Sequence, residues 1–84
     1  MTNARQIAVV LATDDLPRAR DALRAAVGLS LRGAVVTVLL AVEPPADDPQ
    51  IQRALAALRE FGHSVSRGSA ATVVSDADAV EVWT

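Results

Sequence analysis

Cysteine is absent from this sequence, so the chain can form no disulfide bond and offers no thiolate nucleophile or sulfur ligand for a metal ion. Lysine is absent too, and all 8 basic residues are arginine. That absence excludes Schiff-base chemistry and the phosphate-binding lysine of a P-loop. Histidine occurs once, as His63, and a lone histidine without cysteine or a cluster of other ligands makes no zinc site.

Aromatic residues are nearly missing, since the chain has one Phe, one Trp and no Tyr although 51% of its residues are hydrophobic. The core must therefore be built from Val, Leu, Ile and Ala, which suits a parallel sheet packed closely against helices. The length of 84 residues predicts a single domain, residues 1–84, with a thin core. The net charge of -2, with both signs mixed along the chain, provides no basic face for nucleic acid.

The first apolar run is short and follows a polar segment, so neither a signal peptide nor a membrane span is predicted. We expect a soluble cytoplasmic protein. That run, Ile7–Ala12, and a second one, Ala34–Val42, show no alternation and predict strands that are buried on both faces. Between them lies an amphipathic segment that begins with acidic residues and Pro17 and ends at Gly33. A strand, a crossover helix and a parallel strand make a right-handed βαβ unit.

The second half of the chain repeats the pattern. Asp47 and Gln50 have the spacing of a capping box, and they predict a second helix that ends at Gly62. A short strand over His63–Ser66 and a last strand over Ala79–Trp83 follow, while residues 69–76 are compatible with either a helix or an extended segment. The predicted fold class is α/β, with a small parallel sheet of about four strands in the order β-α-β-α-β-(α)-β.

Two features predict close contacts with other parts of the fold or with other chains. Gly28 lies inside the first helix, where it is either a site of close packing or simply tolerated. Two good helices and one doubtful one give too little cover for both faces of such a sheet, so we expect a homo-oligomer or a hetero-oligomer with related subunits. Trp83 is a candidate interface anchor.

Candidate ligand-binding residues follow the predicted strands, because sites in open parallel sheets form outside the carboxyl ends of the strands. They are Asp14, Glu43, Ser66, Arg67 and Ser69. Asp14 and Asp15 are read as helix caps in preference to a Mg²⁺ site. Arg67, in a predicted loop with glycine and serine, is either a solvated side chain or a group that grips an anion. No catalytic residue, metal or cofactor is predicted, and His63, at the opposite end of its strand, is read as a surface side chain.

Four segments carry a family resemblance: IAVVLATDD, AVVTVLLAVEPP, QIQRALAALREFGHSV and SDADAVEVW. Their order resembles the DsrE/DsrF/DsrH-like family of sulfur-relay proteins over nearly the whole chain. The resemblance implies an α/β fold with a parallel sheet, and assembly into dimers, trimers or heterohexamers. It also implies that active members carry sulfur as a persulfide on a cysteine in the loop after the third strand. Ser66 is the nearest residue to that position here, and a serine cannot carry a persulfide.

Three functional hypotheses follow from these observations. The first is a non-catalytic DsrE-like scaffold or partner-binding module. The second is an enzyme or small-anion binder that uses Glu43, Arg67 and Ser69. The third rests on VVLATDDLPRARDALRAAV, which is similar to the opening of a response-regulator receiver domain, a family that also requires an aspartate after the third strand and a later lysine. Ser66 or Arg67 stands at the first of those positions, and lysine is absent.

Overall fold

A computed structural model describes residues 4–45, 47–68 and 77–84. In chain order its elements are β1 (Gln6–Leu11), α1 (Leu16–Leu31), β2 (Val35–Leu40), α2 (Pro49–Glu60), β3 (Ser64–Arg67) and β4 (Ala79–Trp83). The predicted fold class is confirmed: the protein has an α/β fold with a four-stranded parallel sheet. The ambiguous segment 69–76 lies outside the described residues.

The strands are arranged in the order β3-β2-β1-β4, so β1 has a parallel neighbour on each side. Ile7 is aligned with Val36 of β2 and with Ala79 of β4. This double pairing explains why the sequence of β1 is apolar without alternation, because both of its faces are covered. Residues 7–11 are all buried.

Both helices pack on the same face of the sheet. One hydrophobic cluster contains the buried positions of the helices and alternate residues of β1 and β2. The strand residues are Ile7, Val9, Leu11, Val36, Val38 and Leu40. Those positions include Leu23 of α1 and both Ile51 and Leu58 of α2, each at most 1% exposed. The two helices therefore share a single core with alternate residues of the two central strands.

The opposite face of the sheet carries the remaining residues of these strands. Ala8, Val10 and Leu39 point to this side and are 0%, 4% and 1% exposed in the single chain. The centre of this face therefore excludes water without a second copy, and the expectation of an oligomer must rest on other surfaces.

The two helices begin and end with the same local chemistry. Asp15 and Asp48 are the N-cap residues, and each carboxylate accepts the N–H of the residue three positions later. At the other end, Gly33 and Gly62 adopt positive φ values of 94° and 87°. The amides of each glycine and of the residue after it bond back to the last turn, which satisfies carbonyls that the helix leaves unpaired. Both predicted glycine stops are confirmed.

The predicted capping box of α2 is wrong in its register. Asp48, and not Asp47, is the N-cap, which makes Pro49 the first helical residue and Gln50 the second. A capping box needs its reciprocal side chain at the third helical position, which Ile51 occupies.

Neither described helix has the length and apolar character that crossing a membrane requires.

Gly28 tests how closely α1 packs. A Cβ atom built at this position would meet nothing within 4 Å, so the structure favours a tolerated glycine over a close approach. Replacement of Gly28 with Ala should raise the free energy of unfolding by about 0.5–1 kcal/mol, because alanine loses less backbone entropy in a helix. Urea denaturation followed by circular dichroism measures the change.

The matched control is Gly33→Ala, at the positive φ of the helix stop. It should lower the free energy of unfolding by about 1 kcal/mol or more, since the left-handed conformation strains any side chain. An equal loss of stability in the Gly28→Ala variant would show that the space beside α1 is not open.

Candidate functional site

The carboxyl ends of the four parallel strands meet at one edge of the sheet, where Glu43 and Arg67 form an ion pair. The Arg67 Nε donates to Glu43 Oε2 at 2.7 Å, and the Arg67 Nη2 donates to Glu43 Oε1 at 2.8 Å. This is the two-pronged geometry in which guanidinium and carboxylate fit best. Two residues predicted to bind a ligand therefore bind each other.

The pair changes what this edge can do chemically. The hydrogen bond from Arg67 lowers the pKa of Glu43, so the carboxylate remains ionised and keeps the guanidinium neutralised. The side chain of Arg67 is 61% exposed and that of Glu43 is 56% exposed, so the pair lies at the surface and not in a closed crevice. An anion that approached Arg67 would have to displace a carboxylate held by two hydrogen bonds.

The predicted loop position of Arg67 is wrong, because Arg67 is the last residue of β3. It pairs in register with Leu40 of β2, which directs its side chain to the helix-covered face. Ser66 is aligned with Leu39 and lies on the opposite face. The two adjacent candidates are thus separated by the alternation of the strand.

The acidic turn after β1 supports the helix. Asp15 accepts the backbone N–H of Arg18 at 3.2 Å, which confirms the predicted cap. Asp14 is exposed, and within the described ranges no hydrogen bond or ion pair joins it to Glu43 or Arg67. Ser69 lies outside the described residues. Among the residues that the structure describes, no group of three or more His, Asp or Glu side chains is placed to hold a metal ion.

His63 lies at the amino end of β3, as predicted, and it has a structural partner. Its Nδ1 accepts the backbone N–H of Val36 at 3.2 Å. Val36 is fully buried, and the register of β2 with β3 begins only at the next residue, Thr37. The imidazole therefore accepts a hydrogen bond from the buried Val36 N–H, which has no partner in the pairing of β2 with β3. The sequence gives no sign of this role, because the two residues are 27 positions apart.

The strand order reverses between β1 and β4, and such switch points are the usual ligand sites of open α/β sheets. Here the chain's own residues fill that position. Ala12 N–H donates to the Trp83 carbonyl at 2.8 Å. The Arg18 guanidinium lies 5.4 Å from the centre of the Trp83 ring, and its Nε donates to the main-chain oxygen of Thr84 at 2.6 Å. Trp83 also packs against the hydrophobic core, so this candidate interface anchor is held within its own chain.

Asp48 makes a polar link between the helices. It is 7% exposed, and its Oδ2 accepts the Ile51 N–H at 3.0 Å. Arg20 of α1 donates to both oxygens, with Nη2–Oδ1 at 2.5 Å and Nε–Oδ2 at 3.3 Å. The hydrogen bond from Arg20, together with smaller contributions from backbone amides, lowers the pKa of Asp48 although burial opposes the charge.

The lowered pKa predicts an acid-dependent stability. Because the folded-state pKa of Asp48 lies below the ordinary value of 3.8, the charged form stabilises the fold above that pH. The contribution is lost as the pH falls through the folded-state pKa. Asp48→Asn should therefore be less stable than the wild type at neutral pH, and the difference should shrink on acidification. Urea midpoints measured from neutral pH to about pH 3 test this.

The matched control is Asp47→Asn, which removes the same charge one residue earlier from an exposed side chain. It should retain the pH dependence of the wild type. Parallel acid curves for the wild type and Asp48→Asn would contradict a role for the Asp48 carboxylate.

Comparison of the chain with protein-family models, with curated proteins and with solved structures gives no match. The protein is a small α/β domain with a four-stranded parallel sheet, and the comparisons assign it to no family.

Proposed function

We propose that this protein is a non-catalytic scaffold, a DsrE-like relative that acts by assembling with other chains. The resemblance of its segment order to the sulfur-relay family supports the relationship. The absence of cysteine leaves no residue to carry a persulfide, which supports a role in binding. The ion pair of Glu43 with Arg67 also favours binding over chemistry at the carboxyl edge, because neither charge is left to act on a substrate.

The observation that carries the proposal is the outer edge of β4. This strand lies at the end of the sheet and pairs with β1 alone among the described strands. On the face opposite the helices it exposes two apolar side chains, Val80 at 36% and Val82 at 59%. An exposed strand edge with apolar side chains is a template for pairing with another chain.

A second copy of the same chain fits this edge. A two-fold axis perpendicular to the sheet and passing beside Val82 would pair β4 antiparallel with itself and place Val82 opposite its counterpart. Glu81, on the helix-covered face, would then lie opposite Trp83 of the second copy, over which Arg18 is stacked. The register centred on Glu81 would instead oppose two carboxylates, which is destabilising. Charge complementarity favours the register centred on Val82.

No comparable observation favours the two other hypotheses. A small-anion site at the carboxyl edge requires an available Arg67, whose guanidinium is bound to Glu43. A receiver-like site requires Asp14 and Asp15, and Asp15 caps α1.

Replacement of Val82 with Lys should convert an assembled protein to a monomer, because it places a charge at the centre of the proposed interface. Sedimentation equilibrium at micromolar concentrations measures the change. Val42→Lys is the control, since Val42 is also exposed, at 38%, but lies after β2 and away from β4. A wild-type chain that remains a monomer at hundreds of micromolar would contradict the proposal.

A second substitution tests the register. Glu81→Gln should weaken assembly when Glu81 faces the Trp83 and Arg18 of the second copy, because an attraction is lost. The same change would strengthen assembly in a register that opposes the two glutamates. Tighter association of this variant would therefore exclude the axis beside Val82.

A further inference from the structure

A groove of about 350 Å³ lies between α1 and α2, in the helix layer and away from the edge of β4. Its apolar part consists of Leu23 and Val27 of α1 and Ala54 and Ala57 of α2. On each helix these residues belong to one ridge with i, i+3, i+4 spacing, so the groove follows successive turns of both helices. The alanines leave space in the groove because their side chains are small.

The polar residues of the groove are mostly arginines. Arg20, Arg24 and Arg53 line it, and no acidic residue does so within the described part of the chain. Arg20 is committed to Asp48. The Arg24 Nη1 lies 3.9 Å from the Asp21 Oδ1. The Arg24 side chain is 77% exposed and that of Asp21 is 60% exposed, so this ion pair is weak. Arg53 has no ion-pair partner among the described residues.

We propose that this groove binds a small anionic amphiphile, with its carboxylate or phosphate held by Arg24 and Arg53 and its apolar body against Leu23, Val27, Ala54 and Ala57. Guanidinium groups bind both kinds of anion through paired hydrogen bonds. The volume is at the lower end of the range for small-molecule sites, so a short apolar body fits better than a long chain. Arg20, bound to Asp48, links α1 to the start of α2 beside the groove.

This site is separate from the proposed assembly surface, so the two proposals can fail independently. Val82 lies on the face of the sheet opposite the helices, whereas the groove lies within the helix layer. The Val82→Lys variant should bind the amphiphile as the wild type does, whether or not the wild type assembles.

The probes are octanoate and octyl phosphate, each below its micelle concentration, titrated into the full chain labelled with ¹⁵N. Octanol supplies the same body without a charge, and inorganic phosphate supplies the charge without a body. We expect saturable shifts of amide signals in residues 23–27 and 53–57 with one or both amphiphiles. Octanol and inorganic phosphate should bind at least about tenfold more weakly, because each lacks half of the contacts. The two amphiphiles distinguish a carboxylate from a phosphate ligand.

Charge-removing variants locate the head group. Arg53→Gln and Arg24→Gln should each weaken binding roughly fivefold or more. Arg59→Gln is the matched control, since Arg59 is an exposed arginine of the same helix that does not line the groove. It should bind with unchanged affinity.

A volume-filling pair locates the apolar body. Ala57→Phe should abolish binding by occupying the groove, whereas Ala56→Phe, on the exposed side of α2, should not. Circular dichroism checks that each variant is folded. If Ala57→Phe does not fold, the arginine variants alone test whether the groove is the binding site. The proposal is overturned by unsaturable binding, by shifts outside the groove, or by equal weakening in Arg53→Gln and Arg59→Gln.

Discussion

Parallel pairing on both sides of β1 is the constraint on which the rest of the structure depends. A strand with neighbours on each edge and packing on each face must satisfy every backbone group through the sheet and present apolar side chains in both directions. Val9 and Leu11 enter the core with the helices, while Ala8 and Val10 are buried on the other side. Parallel neighbours also require crossover connections, which is why α1 must return the chain to the starting edge before β2 begins.

The helices are fixed by local chemistry at their ends and by one polar link between them. Each begins at an aspartate that caps its third amide and ends at a glycine that accepts a positive φ. Asp48 has a second task, because the same carboxylate that caps α2 binds Arg20 of α1. Asp48 therefore both caps the start of α2 and links it to α1.

Sequence patterns predicted the elements and the parallel sheet correctly and misplaced the cap of α2. The runs over residues 7–12 and 34–42 marked two strands to within two residues at each end, since continuous apolar stretches report burial. Proline and glycine marked the helix ends, because proline fits the first turn and glycine accepts the positive φ that follows the last turn. The capping box was misplaced by one residue because Asp47 and Asp48 are both suitable caps and only the backbone conformation distinguishes them.

The candidate site could be predicted only as an edge of the sheet. Sequence patterns place Glu43 after the second strand and Arg67 after the third, but their bond depends on the adjacency of β2 and β3 and on the register that aligns Leu40 with Arg67. Ser66 was assigned to the same edge, yet alternation along β3 turns it to the other face. The groove between α1 and α2 arises from helix packing, and no local pattern encodes it.

The pairing of β1 with β4 has a consequence for how the molecule folds. Contacts at this pairing join residues 72 positions apart, such as Gln6 with Asp78 just before β4, whereas β1, α1 and β2 are consecutive in the chain. Closing so long a loop costs entropy that only the completed sheet returns. Closing the nearer βαβ unit costs less entropy than docking β4, and Trp83, the single tryptophan, lies in β4 against the core, so its fluorescence reports on the docking of that strand.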